Sequence, residues 1–128
     1  MEETHPRPLL VLSGLFLIAL IVRVLYFIEL SQLPYFDIIL PVYDHFNFDQ
    51  GALSFAAGDV LARSPNNSYS PLYKYFLGSL YFVFGRNFYV VYGLQFVLGA
   101  LGAVLLFLIG KRLFDVRVGL LAFAGFAF

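Results

Sequence analysis

Cysteine and tryptophan are absent from the 128 residues, methionine occurs once, and charged side chains make up only 12% of the chain. Without cysteine there is no disulfide framework, no zinc–cysteine site and no thiol nucleophile. The scarcity of charge says more, because soluble globular chains carry about 25% charged residues. Eight basic residues balance eight acidic ones, so the net charge is zero and nothing points toward nucleic acid. A Gly-rich phosphate loop after a strand, a His pair at metal-ligand spacing and a G-x-S-x-G elbow are also missing, which removes most local catalytic signatures. What is present is apolar: 61% hydrophobic residues and a mean hydropathy of +0.84. Sixteen Phe and nine Tyr supply all the aromatics, and Tyr favours the lipid–water boundary, where its ring is half buried and its hydroxyl stays wet.

Residues 9–22 carry no charge, and the apolar run resumes after Arg23. As a helix, residues 9–30 would extend about 33 Å, enough for a hydrocarbon core of about 30 Å. A cleaved signal peptide would have a shorter apolar core followed by a small-residue cleavage site, so this segment reads as a retained signal anchor. Arg23 lies two-thirds along it and is expected to snorkel outward. Residues 88–109 form a second uncharged stretch, interrupted only by Gln95 and rich in small residues at Gly93, Gly99, Ala100, Gly102 and Ala103. Small residues let helices approach closely in lipid, where packing replaces the hydrophobic drive between them. Residues 118–128 resemble the start of a third span but cover only about half a bilayer. The expectation is therefore the N-terminal part of a longer polytopic protein.

Residues 31–87 are too many for a turn and too apolar for a linker. Within them, 71–84 reads as a helix with Lys74 in its first turn and Gly85 closing it, too short to span at about 21 Å. Residues 44–61 also read as a helix, with Asp44 at its start, Phe48, Ala52 and Phe55 at helical spacing, and an end near Gly58. Both are expected at the membrane surface, joined by an Asn, Ser and Pro-rich loop over 63–70. Lys111, Arg112 and Arg117 fall in the link 110–117, which the positive-inside rule places in the cytoplasm. The N-terminus is then cytoplasmic and the loop 31–87 faces outward.

That loop holds Asp37, Asp44, Asp49 and Asp59, with His45 beside the second acid. On a helix, Asp44 projects with Phe48 and Ala52, whereas Asp49 lies about 140° away. Only one of them can face a given cavity. An acid at the start of a surface helix has two readings, a cap for backbone N–H groups or a base at the lipid–water boundary. The basic residues Arg63, Lys74 and Arg86 either anchor surface helices to headgroups or neutralise a lipid-linked phosphate. Asn66-Asn67-Ser68 satisfies the N-glycosylation pattern but carries no weight, since such tripeptides arise often by chance.

The order of these features resembles a known family. Arg23-Val24-Leu25-Tyr26 ends the first span, and Asp44 follows in the outer loop with Phe48 four residues on and Ala52 eight residues on. Then come Gly58, Tyr69-Ser70-Pro71-Leu72-Tyr73, Phe84-Gly85, Gly110-Lys111-Arg112-Leu113-Phe114 and Arg117-Val118-Gly119-Leu120-Leu121-Ala122. This series is similar to the N-terminal part of the GT-C glycosyltransferases, in their protein-mannosyltransferase-like and aminoarabinose-transferase-like group. One departure is Phe48, where Tyr is common in that group.

The resemblance implies an all-α polytopic bundle in the bacterial inner (plasma) membrane. Its implied activity is inverting transfer of a sugar from a polyprenyl-phosphate donor to a lipid, glycan or protein acceptor at the outer face. Asp44 is the position matching the family's essential acid, with Lys74 and then Arg63 as candidates for the donor phosphate. No cofactor is called for by these residues, and whether Asp44 acts alone or beside a divalent metal stays open. The isolated stretch is expected to lack an assembled active site. Two alternatives stand beside this reading: a transporter or flippase of lipid-linked glycans, which would place polar groups within its spans, and a small non-catalytic membrane protein. The half-length final helix argues against the latter.

Overall fold

Five helices make up a computed structural model that describes residues 8–34, 36, 39, 41, 44–61 and 70–128. They are α1 (Pro8–Ser31), α2 (Asp44–Ala56), α3 (Pro71–Phe84), α4 (Phe88–Leu113) and α5 (Val116–Ala127), and no strand occurs among the described residues. Local chemistry sets most of the ends. Pro34 disfavours helical backbone at the residue before it, and the chain leaves α1 through tightened turns, Gln32 N–H donating to Glu29 O and Leu33 N–H to Leu30 O. Pro71 opens α3, where its missing N–H costs nothing. Gly85 closes α3 at φ 70°, a conformation that glycine adopts without a Cβ clash. Asn87 caps α4, its side-chain oxygen accepting from the Tyr89 and Val90 N–H groups at 3.0 and 3.4 Å.

Two ends differ from the sequence expectation. α2 stops at Ala56 rather than near residue 61, because Gly58 at φ 108° completes a Schellman turn. There the Asp59 N–H donates to Ser54 O, and the Gly58 N–H to Phe55 O. The link expected over 110–117 shrinks to two residues, since α4 continues through Lys111 and Arg112 to Leu113. Both side chains favour a helix C-terminus, where they face the negative end of its dipole. Asp115 then starts α5 by accepting from the Val118 N–H at 2.9 Å.

The chain divides into two compact units. The first takes in α1, the larger part of α4, and α5; its core is Ala19, Ala100, Ala103, Phe107, Phe123 and Ala127, flanked by Leu12, Leu15, Phe16 and Leu20. Among the described residues, α1 and α4 are the two helices long and apolar enough to cross a membrane. Only 6% of the most apolar stretch of α1 and 22% of that of α4 is buried within the protein, unlike core helices of water-soluble folds. Leu9, Leu10, Leu17, Ile18, Ile21 and Leu25 all stand exposed. Side chains of that size lose roughly 1.5–3 kcal/mol each in water relative to an apolar medium, and lipid is the solvent that suits them.

Arg23 corrects the expectation of snorkelling. It turns inward, donating to Ala19 O at 3.1 Å, Ala127 O at 3.4 Å and Phe126 O at 3.0 Å, with its guanidinium 5.8 Å from the Phe126 ring centre. Gly99 leaves room for it, since a Cβ there would lie 2.8 Å from Arg23 Nε.

α4 and α5 meet glycine to glycine. A Cβ on Gly119 would lie 2.7 Å from Phe107 O and 2.9 Å from Lys111 N, and one on Gly110 would lie 2.9 Å from Gly119 Cα. These neighbours are backbone atoms of a helix and cannot swing aside. Gly119→Ala should therefore destabilise the hairpin by about 1–3 kcal/mol, whereas Gly14→Ala, with nothing within 4 Å of the added carbon, should gain up to about 1 kcal/mol from helix propensity. Denaturant titration in micelles followed by circular dichroism distinguishes them; equal effects would refute the close contact.

The second unit contains α2, α3 and the first residues of α4. Ala52, Leu77, Tyr81 and Val91 form its core, with Phe48, Leu53, Ala56, Phe76, Leu80 and Phe88 packed around them. Gly78 allows α2 and α3 to pack closely, as its absent Cβ would fall 2.5 Å from Phe55 Cδ1.

Candidate functional site

All the candidate residues that are described belong to the second unit. Asp44 opens α2 and is exposed. No hydrogen bond or ion pair to its carboxylate occurs among the described residues, and its charge is favourable at that helix end because the backbone N–H groups there are electropositive. One turn on, Phe48 packs edge-on against Tyr73, with ring centres 5.1 Å apart. Tyr73 in turn stacks on Phe76. The stripe beginning at Asp44 therefore runs into an aromatic wall supplied by α3.

Lys74 is 1% exposed. Burial lowers the pKa of its ammonium below the ordinary lysine value, because an apolar surrounding disfavours the charged form. It shares no hydrogen bond or ion pair with Asp44. Arg63, the second phosphate candidate, and Asp37 lie outside the described residues.

The feature that sequence reasoning missed is Asp49. It is 3% exposed, and Arg86 grips it from beyond α3, Nε donating to Oδ1 at 2.8 Å and NH2 to Oδ2 at 3.0 Å. Tyr81 OH donates to the same Oδ1 at 2.9 Å. Paired N–H groups on a planar guanidinium match the two carboxylate oxygens, the strongest form of side-chain ion pair. Arg86 also lies over the Phe88 ring, 5.0 Å from its centre. The buried face of α2 thus includes Asp49, Gly51 and Ala52 and leaves Asp44 outside it. Only one sequence signal was available, an arginine just past a helix-closing glycine, and nothing in it named Asp49 as partner.

Electrostatics in this cluster follow from burial and pairing. The Tyr81 hydroxyl is pushed well above the ordinary tyrosine value, first by burial and then by its bond to Asp49. Arg86 is held still more firmly protonated by the hydrogen bonds to Asp49. Because the folded-state value of Tyr81 is raised, its stabilising bond is fully present below the unfolded tyrosine pKa of about 10 and is lost as the pH climbs beyond it. Tyr81→Phe should cost about 1.5 kcal/mol at neutral pH. It should also remove the part of the tyrosinate absorbance that appears at the highest pH; an unchanged alkaline titration would contradict the bond.

No group of three His, Cys, Asp or Glu side chains that could hold a metal ion occurs among the described residues. Among the described carboxylates of this unit, Asp44 is exposed at a helix start, one turn before the ring that packs on Tyr73, and Asp49 is committed to structure. No protein-family model, curated protein or solved structure matches the chain.

Proposed function

We propose that the chain belongs to a membrane glycosyltransferase of the GT-C kind, with the Asp44 carboxylate as general base. In this reading α1 and α4 cross the bilayer. Lys111 and Arg112, in the last turn of α4, with Arg117 in α5, mark the cytoplasmic side. α2 and α3 then stand on the outer side, where a polyprenyl-phosphate-linked sugar meets water. The observation that carries the assignment is the division of labour within α2: Asp49 is consumed by Arg86 and Tyr81, whereas Asp44 is exposed with no described bond.

The chemistry follows. Asp44 takes the proton of an acceptor hydroxyl as its oxygen attacks the anomeric carbon. The bond from that carbon to the polyprenyl-phosphate oxygen breaks on the opposite face, inverting the configuration and releasing a phosphate that needs a cation. Lys74 can serve only if the leaving phosphate reaches its side chain, which is 1% exposed. Proteoliposomes of the full protein supplied with a polyprenyl-phosphate donor carrying a labelled sugar test the reading. Label should pass to an acceptor with inverted configuration, and label that stays on the donor in the presence of native membrane extract sinks the assignment.

A further inference from the structure

Arg86 stands where three features meet. α3 ends on Phe82, Val83 and Phe84, which are 76%, 68% and 57% exposed. Gly85 turns the chain, and after residue 87 it enters α4, long and apolar enough to cross a membrane. Three linking residues reach at most about 10 Å. A bilayer crossed by α4 therefore has its edge at the end of α3, where exposed phenylalanines have an apolar medium to enter. At that edge the Arg86 side chain is 41% exposed while that of its partner Asp49 is 4% exposed.

The guanidinium is held ready. Asp49 takes its Nε and NH2 edge, the Phe88 ring covers one face, and NH1 enters no hydrogen bond among the described residues. A planar fork that is already immobilised loses little freedom on binding a tetrahedral anion. Lys74, the other lysine or arginine described in this unit, is buried. We propose that Arg86, fixed by Asp49 and Tyr81, binds the phosphate of an anionic membrane lipid through its outward NH1 group, the acyl chains running beside Phe82, Val83 and Phe84. The site needs α4 to cross the membrane and is independent of the transfer chemistry.

Native mass spectrometry of the full chain in detergent, with phosphatidylglycerol and phosphatidylcholine of equal chain length, tests it. The wild type should retain phosphatidylglycerol preferentially. The double variant Asp49→Asn/Arg86→Gln, which has no unpaired buried charge, should lower phosphatidylglycerol affinity roughly tenfold and leave phosphatidylcholine unchanged. An unchanged preference in the double variant overturns the proposal, as does full displacement of the lipid by equimolar inorganic phosphate, which would mark a free-anion site. If the double variant loses its helical signal, Arg86→Lys decides instead: its ammonium lacks the fork, so a retained preference refutes the geometry. Release of the protein from membranes by alkaline carbonate without detergent would defeat the membrane reading itself.

Discussion

Asp44→Asn is expected to cut sugar transfer by roughly 10²–10⁴-fold while leaving the helical signal and membrane insertion unchanged. The reason is positional. Asp44 is exposed at the start of α2, no described hydrogen bond depends on its charge, and losing that charge at an electropositive helix start costs only about 0.3–1 kcal/mol. Removing the charge therefore removes the proposed base and little else. Transfer should fall without a matching rise in donor KM, because the base acts on the acceptor proton rather than on the polyprenyl phosphate. Full transfer activity in Asp44→Asn proteoliposomes would end the assignment of this residue.

Arg86→Gln should do the reverse, lowering the stability of the second unit by about 3 kcal/mol. Breaking a buried ion pair by deleting one partner costs about 3–5 kcal/mol, and the lower end applies because the arginine side chain is 41% exposed and partly screened by solvent. The carboxylate left behind is nearly inaccessible to water and keeps only the Tyr81 hydroxyl. Limited proteolysis and denaturant titration should both report the loss. Adding Asp49→Asn should restore most of it, since the buried group is then neutral and still bonded to Tyr81. Equal stability of the wild type and Arg86→Gln would show that the pair contributes nothing. The two acids of one helix are thus predicted to give opposite phenotypes, Asp44 through turnover and Asp49 through folding.

The difference between these acids marks the limit of what helical spacing conveys. Geometry shows that residues five apart on a helix point about 140° apart, and hence that one of the pair faces inward. It does not say which. Asp44 begins the apolar stripe through Phe48 and Ala52, but Tyr81 and Arg86 select the face carrying Asp49, and those partners lie more than thirty residues away. Arg23 repeats the lesson. Its depth in an apolar helix was plain, yet the carbonyls it bonds belong to α5, over a hundred residues on.

Within the sequence alone lay everything that depends on a residue and its near neighbours. Two stretches are long and apolar enough for a bilayer because the alternative would expose large aliphatic side chains to water. Pro71 and Gly85 bound α3 because one lacks an N–H and the other lacks a Cβ. The tertiary structure decided which charges are used up. It committed Asp49 and Arg86 to each other, buried Lys74, turned Arg23 inward and left Asp44 exposed. A buried charge is tolerated only beside a partner, and which partners come within reach is set by how the helices pack, a property no local stretch of the chain contains.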